Sequence, residues 1–227
     1  MCSSSASLDF LPVIHETDKV RVELLEDRVV KTFKPQPGAT RRFRRELRAL
    51  RRLSGAEGFP RLLAFSEQER SITESRIPGV ALTECDEIPE SAYASLRQAV
   101  ETMLDRGVAR HALPPRDILL LPNGQVAIVD FERTTFCWSR LCPIWRIASA
   151  ITRFHLLRIL GEKCPRLLTR TERSQLRTSF LVRSAFLGLC GCLGMERARI
   201  KKNRWAKPAS AAVRKATKTP WPQAARR

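Results

Sequence analysis

The chain is predicted to be an α+β protein of two lobes, a small antiparallel sheet followed by a mainly helical part. Three observations predict this. Residues 11–33 alternate apolar and polar side chains in short runs. A strongly periodic helix follows at Thr40–Leu53. Beyond residue 89 the apolar spacing is mostly helical, interrupted by one hairpin signal at Asn123-Gly124.

Within the first lobe, Leu11–Ile14, Val20–Leu24 and Arg28–Phe33 read as a three-stranded meander. Pro35–Gly38 forms a loop, and the helix after it carries Phe43, Leu47, Leu50 and Leu53 on one face. Its other faces hold seven arginines and one acid, Glu46. Phe59–Phe65 and Ser71–Ile77 read as two more strands, and Pro78-Gly79 as the joint between lobes. This divides the chain into 1–78, a helical lobe at 79–205 and a basic tail at 206–227. The tail's composition predicts disorder. In the second lobe Pro89–Arg106 reads as a helix stopped by Gly107. The chain after Asp130 reads as mainly helical to about Lys202, with an apolar core helix at Ser184–Met195.

Composition narrows the class of function. Of 227 residues, 43% are hydrophobic and 28% charged, which a globular protein requires and a wholly disordered one lacks. The 41 Lys and Arg against 23 Asp and Glu leave a formal charge of +18. Such a field attracts polyanions: nucleic acid, anionic headgroups or phosphorylated sugars. Seven cysteines without a C-x-x-C pair give no zinc spacing and read as reduced thiols of a cytoplasmic protein. Met1–Phe10 lacks the pattern of a signal peptide.

The hairpin carries the first chemical inference. A two-residue turn at Asn123-Gly124 would set Leu121 opposite Val126, Ile118 opposite Val129, and Asp117 opposite Asp130. Carboxylates opposed on a ladder lie roughly 5 Å apart and repel unless neutralised. A divalent cation would neutralise them, since Mg²⁺ favours one or two carboxylates with phosphate oxygens and water. Frayed strand ends with both acids in solvent would serve equally.

The segment Arg110-His-Ala-Leu-Pro-Pro-Arg-Asp-Ile-Leu-Leu120, the Asn123-Gly124 turn and Val126-Ala-Ile-Val-Asp-Phe-Glu-Arg133 together resemble the catalytic loop and metal-binding segment of the protein-kinase-like fold. The Asp-Phe-Glu-Arg ending resembles the lipopolysaccharide core heptose and Kdo kinases. The resemblance runs in order from Leu11 to about Arg133. It implies ATP and Mg²⁺, with Asp117 and Asp130 as metal ligands. It matches Lys31 to the lysine that holds nucleotide phosphates and Glu46 to its glutamate partner. Thr73–Gly79, with Glu74, resembles the hinge that meets the nucleotide base. Taken singly, Lys31 reads as well as a solvent-facing strand lysine, and Glu46 as an ordinary intrahelical partner.

Three departures from the pattern bear on function. Ala112 stands where the catalytic-base Asp belongs, and Arg110 where the usual His stands. Alanine cannot accept a proton, which leaves the adjacent His111 as the candidate catalytic group. No glycine-rich loop covers the phosphates; His15–Lys19 occupies its position, with Glu16 and Asp18 set to repel them. The resemblance implies phosphorylation of a core sugar or related glycolipid acceptor, at the cytoplasmic face of an anionic membrane. Ala112 supports a second reading, a pseudokinase that binds nucleotide or a partner. A third, nucleic-acid binding, fits the charge. It ranks below the others because the single Tyr and scattered aromatics offer no stacking platform.

Overall fold

The computed structural model describes residues 13–179. The Ser184–Met195 helix and the basic tail expected above lie outside these residues. Strands β1 (Val13–Glu16), β2 (Val20–Leu24) and β3 (Arg28–Phe33) form the meander. β4 (Leu62–Ser66) and β5 (Ser71–Ser75) complete an antiparallel sheet of order β1-β2-β3-β5-β4. The first strand lies two residues beyond its expected position. At the β1–β2 turn Thr17 Oγ1 accepts from the N–H groups of Lys19 and Val20, a local hydroxyl turn that needs no glycine. Glu16, expected to repel phosphate from this loop, is ion-paired to Lys34 at 2.7 Å. That hydrogen bond holds its carboxyl below the usual range.

Helix α1 (Ala39–Leu53) follows Gly38, whose φ of 82° starts the helix from the left-handed region. Phe43, Leu47, Leu50 and Leu53 are buried as their spacing predicts. Glu46 is buried with them, because it stands three residues after Phe43 and four before Leu50 on the same face. The arginines of α1 do not form one solvated surface. Arg51 lies over the Phe65 ring at 4.7 Å, and Arg48 over Phe136 at 4.7 Å. Arg52 reaches farther, donating to the carbonyls of Gly107 at 2.7 Å and Cys137 at 2.9 Å. Gly107 has a φ of 73°, and a Cβ there would meet the Arg52 guanidinium at 2.6 Å. Glycine therefore both stops the preceding helix and admits the arginine.

Helix α2 (Glu90–Asp105) packs Leu96, Val100, Met103 and Leu104 into the core. Three short pairings surround it: β6 (Val80–Ala81) with β8 (Ile118–Leu120), β8 with β9 (Val126–Ile128), and β7 (Val108–Arg110) with β10 (Thr134–Phe136). Helix α3 (Pro143–Lys163) and a helical stretch at 170–179 follow. The chain beyond Asp130 is thus not helical at once, since Thr134-Thr-Phe136 first pairs back onto β7. One core cluster runs from Phe33 and Phe43 through Leu96 and Ile118 to Leu160.

The hairpin register differs from the expected one. Ile118 faces Ile128, Leu119 faces Ala127 and Leu120 faces Val126. The turn holds three residues, Pro122–Gly124, closed by the Leu121 N–H donating to the Gln125 carbonyl at 2.9 Å. Gly124, at φ 78°, takes the left-handed position that ends such a turn, and the Asn123 side chain caps the Gln125 N–H. That extra residue shifts the ladder by one. Asp117 therefore faces Val129, whose N–H donates to the Asp117 carbonyl at 2.9 Å, and is not directly opposed to Asp130.

Candidate functional site

Pairing of β3 with β5 sets Lys31 opposite Ile72 and Val29 opposite Glu74, so Lys31 and Glu74 are diagonal neighbours on one face of the sheet. Helix α1 brings Glu46 to the same point. Lys31 Nζ lies 2.8 Å from Glu46 Oε1 and 2.9 Å from Glu74 Oε1. Glu46 is 1% exposed and Glu74 3%. Two of the three ammonium hydrogens are committed, which leaves one for a ligand oxygen.

The other oxygen of Glu46 accepts the Phe131 N–H at 2.6 Å. One carboxylate thus joins the Lys31 ammonium to the peptide that follows Asp130. Asp130 has a φ of 67°, a left-handed conformation uncommon outside glycine but accessible to aspartate. Its Oδ1 accepts weakly from the Glu132 N–H at 3.4 Å. The Glu74 Oε2 atom is buried without a hydrogen-bond partner, an arrangement that native proteins rarely tolerate without a use for it.

Electrostatics show the cluster to be rich in negative charge. Burial opposes the Lys31 ammonium, but Glu46, Glu74 and Asp130 outweigh burial and hold it well above the ordinary lysine value. Burial pushes the Glu46 carboxyl up to about 7; Lys31 opposes this, while Asp130 and Glu74 add to it. Three acids share one cation. A further positive charge at Asp130 would relieve both effects, so the donor set fits a Mg²⁺–nucleotide complex. Among the described residues no group of three or more His, Cys, Asp or Glu forms a metal cage. A cation here would depend on one or two carboxylates, as Mg²⁺ bound with phosphate commonly does.

Asp117, the second expected metal ligand, sits differently. A one-turn 3₁₀ segment at Pro115–Asp117 points it inward, 7% exposed. Its Oδ2 lies 2.7 Å from Arg110 Nη2, and its Oδ1 3.3 Å from Arg116 Nε. Burial raises its carboxyl above the usual range; Arg110 works against that, and Asp130 adds to it. Arg110 was legible only as a replacement for histidine. Its position after Val108 and Ala109 at the end of a buried run was the available signal.

His111 lies at the edge of the site. Its Nε2 is 2.7 Å from Thr135 Oγ1. Burial, then Arg45 and Arg133, hold the imidazole below its usual value, which favours its neutral form.

No family model and no curated protein matches this sequence. Solved structures do. The chain is similar to the Rio2 kinase of Chaetomium thermophilum in its ADP/Mg²⁺-phosphoaspartate complex, at 13% identity and TM-score 0.53, covering 73% of this chain and 60% of that one. It is similar also to WbdD crystallised with the kinase inhibitor LY294002, at 17% identity and TM-score 0.50, covering 75% and 49%. The chain therefore spans about half the length of the solved chains it resembles. The fold is the protein-kinase-like one, an antiparallel-sheet lobe with helices.

Proposed function

We propose that this chain is an ATP-dependent phosphotransferase acting on a hydroxyl of a lipopolysaccharide core sugar or related glycolipid. The observation that carries the reading is Glu46, which holds Lys31 with one oxygen and the Asp130–Phe131 peptide with the other. Phosphoryl transfer is promoted chiefly by positioning and charge stabilisation. Lys31 would present its remaining hydrogen to phosphate oxygens, and Asp130 would hold Mg²⁺, which supplies charge neutralisation of the phosphates. Glu46 keeps both in register. The unpartnered Glu74 oxygen would accept a donor from the nucleotide.

On the acceptor side, Ala112 supplies no base. Neutral His111 is the group able to take a proton, with Arg45 and Arg133 close enough to favour an anionic acceptor. Those cations and the net charge of +18 support an acceptor in an anionic leaflet, where each nearby Lys or Arg contributes about 1 kcal/mol. No helix among the described residues is long and apolar enough to cross a membrane, so the reading is of peripheral association. A regulatory nucleotide binder is favoured instead by Ala112 and by the tie from His111 to Thr135.

The two separate in one experiment. The protein is titrated with MgATP in a thermal-shift assay and incubated with γ-labelled ATP and purified core lipid. Enzyme predicts stabilisation and label transfer, reduced by His111→Ala. Stabilisation without transfer establishes the regulatory reading, and no stabilisation at all refutes both.

A further inference from the structure

The resemblance offers a cation two positions in this chain, Asp117 and Asp130, and the first of them is already taken. We propose that Arg110 stands in for a cation at Asp117, so that the site accepts a single divalent ion, held through Asp130. The inference rests on the nucleotide-binding reading above and assigns the metal stoichiometry within it.

Arg110 is 4% exposed, and its guanidinium is held at several points. Nη2 donates to Asp117 Oδ2 at 2.7 Å, and Nη1 donates to the Val129 carbonyl at 2.9 Å. The guanidinium carbon sits 5.6 Å from the centre of the Phe131 ring. Its backbone is fixed as firmly, pairing with Thr134 and accepting from Thr152 Oγ1 at 2.9 Å. The remaining oxygen of Asp117 faces Arg116 at 3.3 Å. A metal ion at Asp117 Oδ2 would have to displace a buried guanidinium, which would then lie uncompensated in the core, and one at Oδ1 would have to displace Arg116 and sit beside the Arg110 charge. Among the described residues no cation lies within ion-pair distance of Asp130: its Oδ1 accepts the long hydrogen bond from Glu132 N–H, and Lys31 attracts it from farther away. The chain thus carries one permanent positive charge where a second ion would sit, and Asp117 serves as its counter-ion.

The test counts bound Mn²⁺ by electron paramagnetic resonance, using the full chain with a non-hydrolysable ATP analogue; nucleotide binding is followed in the same samples by thermal shift. One Mn²⁺ per chain is expected. The double variant Arg110→Gln/Asp117→Asn removes the pair without changing net charge and keeps a hydrogen-bonding couple. It should keep one ion at an affinity within about threefold, against the roughly 10–100-fold loss that even a disturbed supporting shell produces at a metal site. Arg110→Gln alone leaves two anions close together and should add a second ion or tighten binding at least about tenfold. Should that variant fail to fold, the wild-type count and the double variant still decide. Two ions in the wild type, or a tenfold or larger loss in the double variant, overturns the inference and leaves the nucleotide reading intact. Absence of bound Mn²⁺ overturns the inference as well, and absence of nucleotide binding in those samples removes the nucleotide reading with it.

Discussion

Two buried ionic groups meet at Phe131, and they are built to opposite rules. Its N–H touches the first, where Lys31 serves Glu46 and Glu74 beside Asp130. Its ring touches the second, where Asp117 is served by Arg110 and Arg116. The first has more acid than base and a buried oxygen with no partner. The second has more base than acid, and both carboxylate oxygens are engaged. Buried charge that is fully compensated adds specificity and asks for nothing more. Buried charge in excess must be neutralised, by a proton or by a ligand. On the proposed reading the ligand belongs to the first group, and the second is a fixed architectural part.

Removing the common cation of the first group is the harshest way to break this comparison. Lys31→Met leaves Glu46 and Glu74 buried without their partner, a loss of about 3–5 kcal/mol at pH 8. Glu46 can protonate in acid, so the loss should shrink by pH 5. Urea unfolding at the two pH values measures it, and equal losses would mean the cluster is not electrostatically strained. The arginines of α1 sharpen the same distinction. Arg52→Ala leaves two carbonyls without their charged donor and should cost about 1.5–3 kcal/mol. Arg44 is exposed on that helix, and Arg44→Ala should stay within about 0.5 kcal/mol. Its effect, if any, belongs in binding to anionic vesicles.

A pH titration tests the charge excess directly. The folded Glu46 carboxyl stands at about 7 against an ordinary value of 4.5. Between those values the folded chain binds more protons than the unfolded one, so stability should fall as pH rises through that window, by about 1–3 kcal/mol. Nucleotide affinity should run the other way, because ionised Glu46 is what holds Lys31. Glu46→Gln should flatten both profiles. Mg²⁺ should move the midpoint down, since Asp130 is among the groups that raise it.

Much of this was readable in the chain. The meander announced itself by alternation, and α1 by the spacing of Phe43, Leu47, Leu50 and Leu53. Lys31, Glu46, Asp117 and Asp130 were picked out by the resemblance to the kinase-like fold, which they match in order along the chain. Glu46 was seen as the lone acid of a basic helix, yet its distance of three from Phe43 already put it on the buried face. What failed did so for local reasons. A two-residue turn and a three-residue turn ending in Gly124 look alike as Pro-Asn-Gly, and the choice moves every partner on the ladder by one. Strands of two or three residues, β6, β7 and β10, are too short to show a period. The role of Arg110 was out of reach because it depends on β7 pairing with β10, a contact the sequence does not advertise.

A small expected change in stability is also the one that best separates the two groups. Asp130 raises the carboxyls of both Glu46 and Asp117, so its charge strains each cluster in the absence of a ligand. Asparagine keeps the shape, and it occupies the left-handed region at φ 67° at least as readily as aspartate. Asp130→Asn should therefore leave metal-free stability level or raise it by less than about 1 kcal/mol. Against this stands the attraction between Asp130 and Lys31, which is lost and sets the upper limit on any gain. Mn²⁺ binding and Mg²⁺-dependent nucleotide binding should disappear together. Denaturant unfolding without metal, paired with Mn²⁺ titration, reads both quantities from one preparation. A variant that is clearly destabilised and still binds the ion would show that Asp130 is a structural acid, and the contrast between the clusters would collapse.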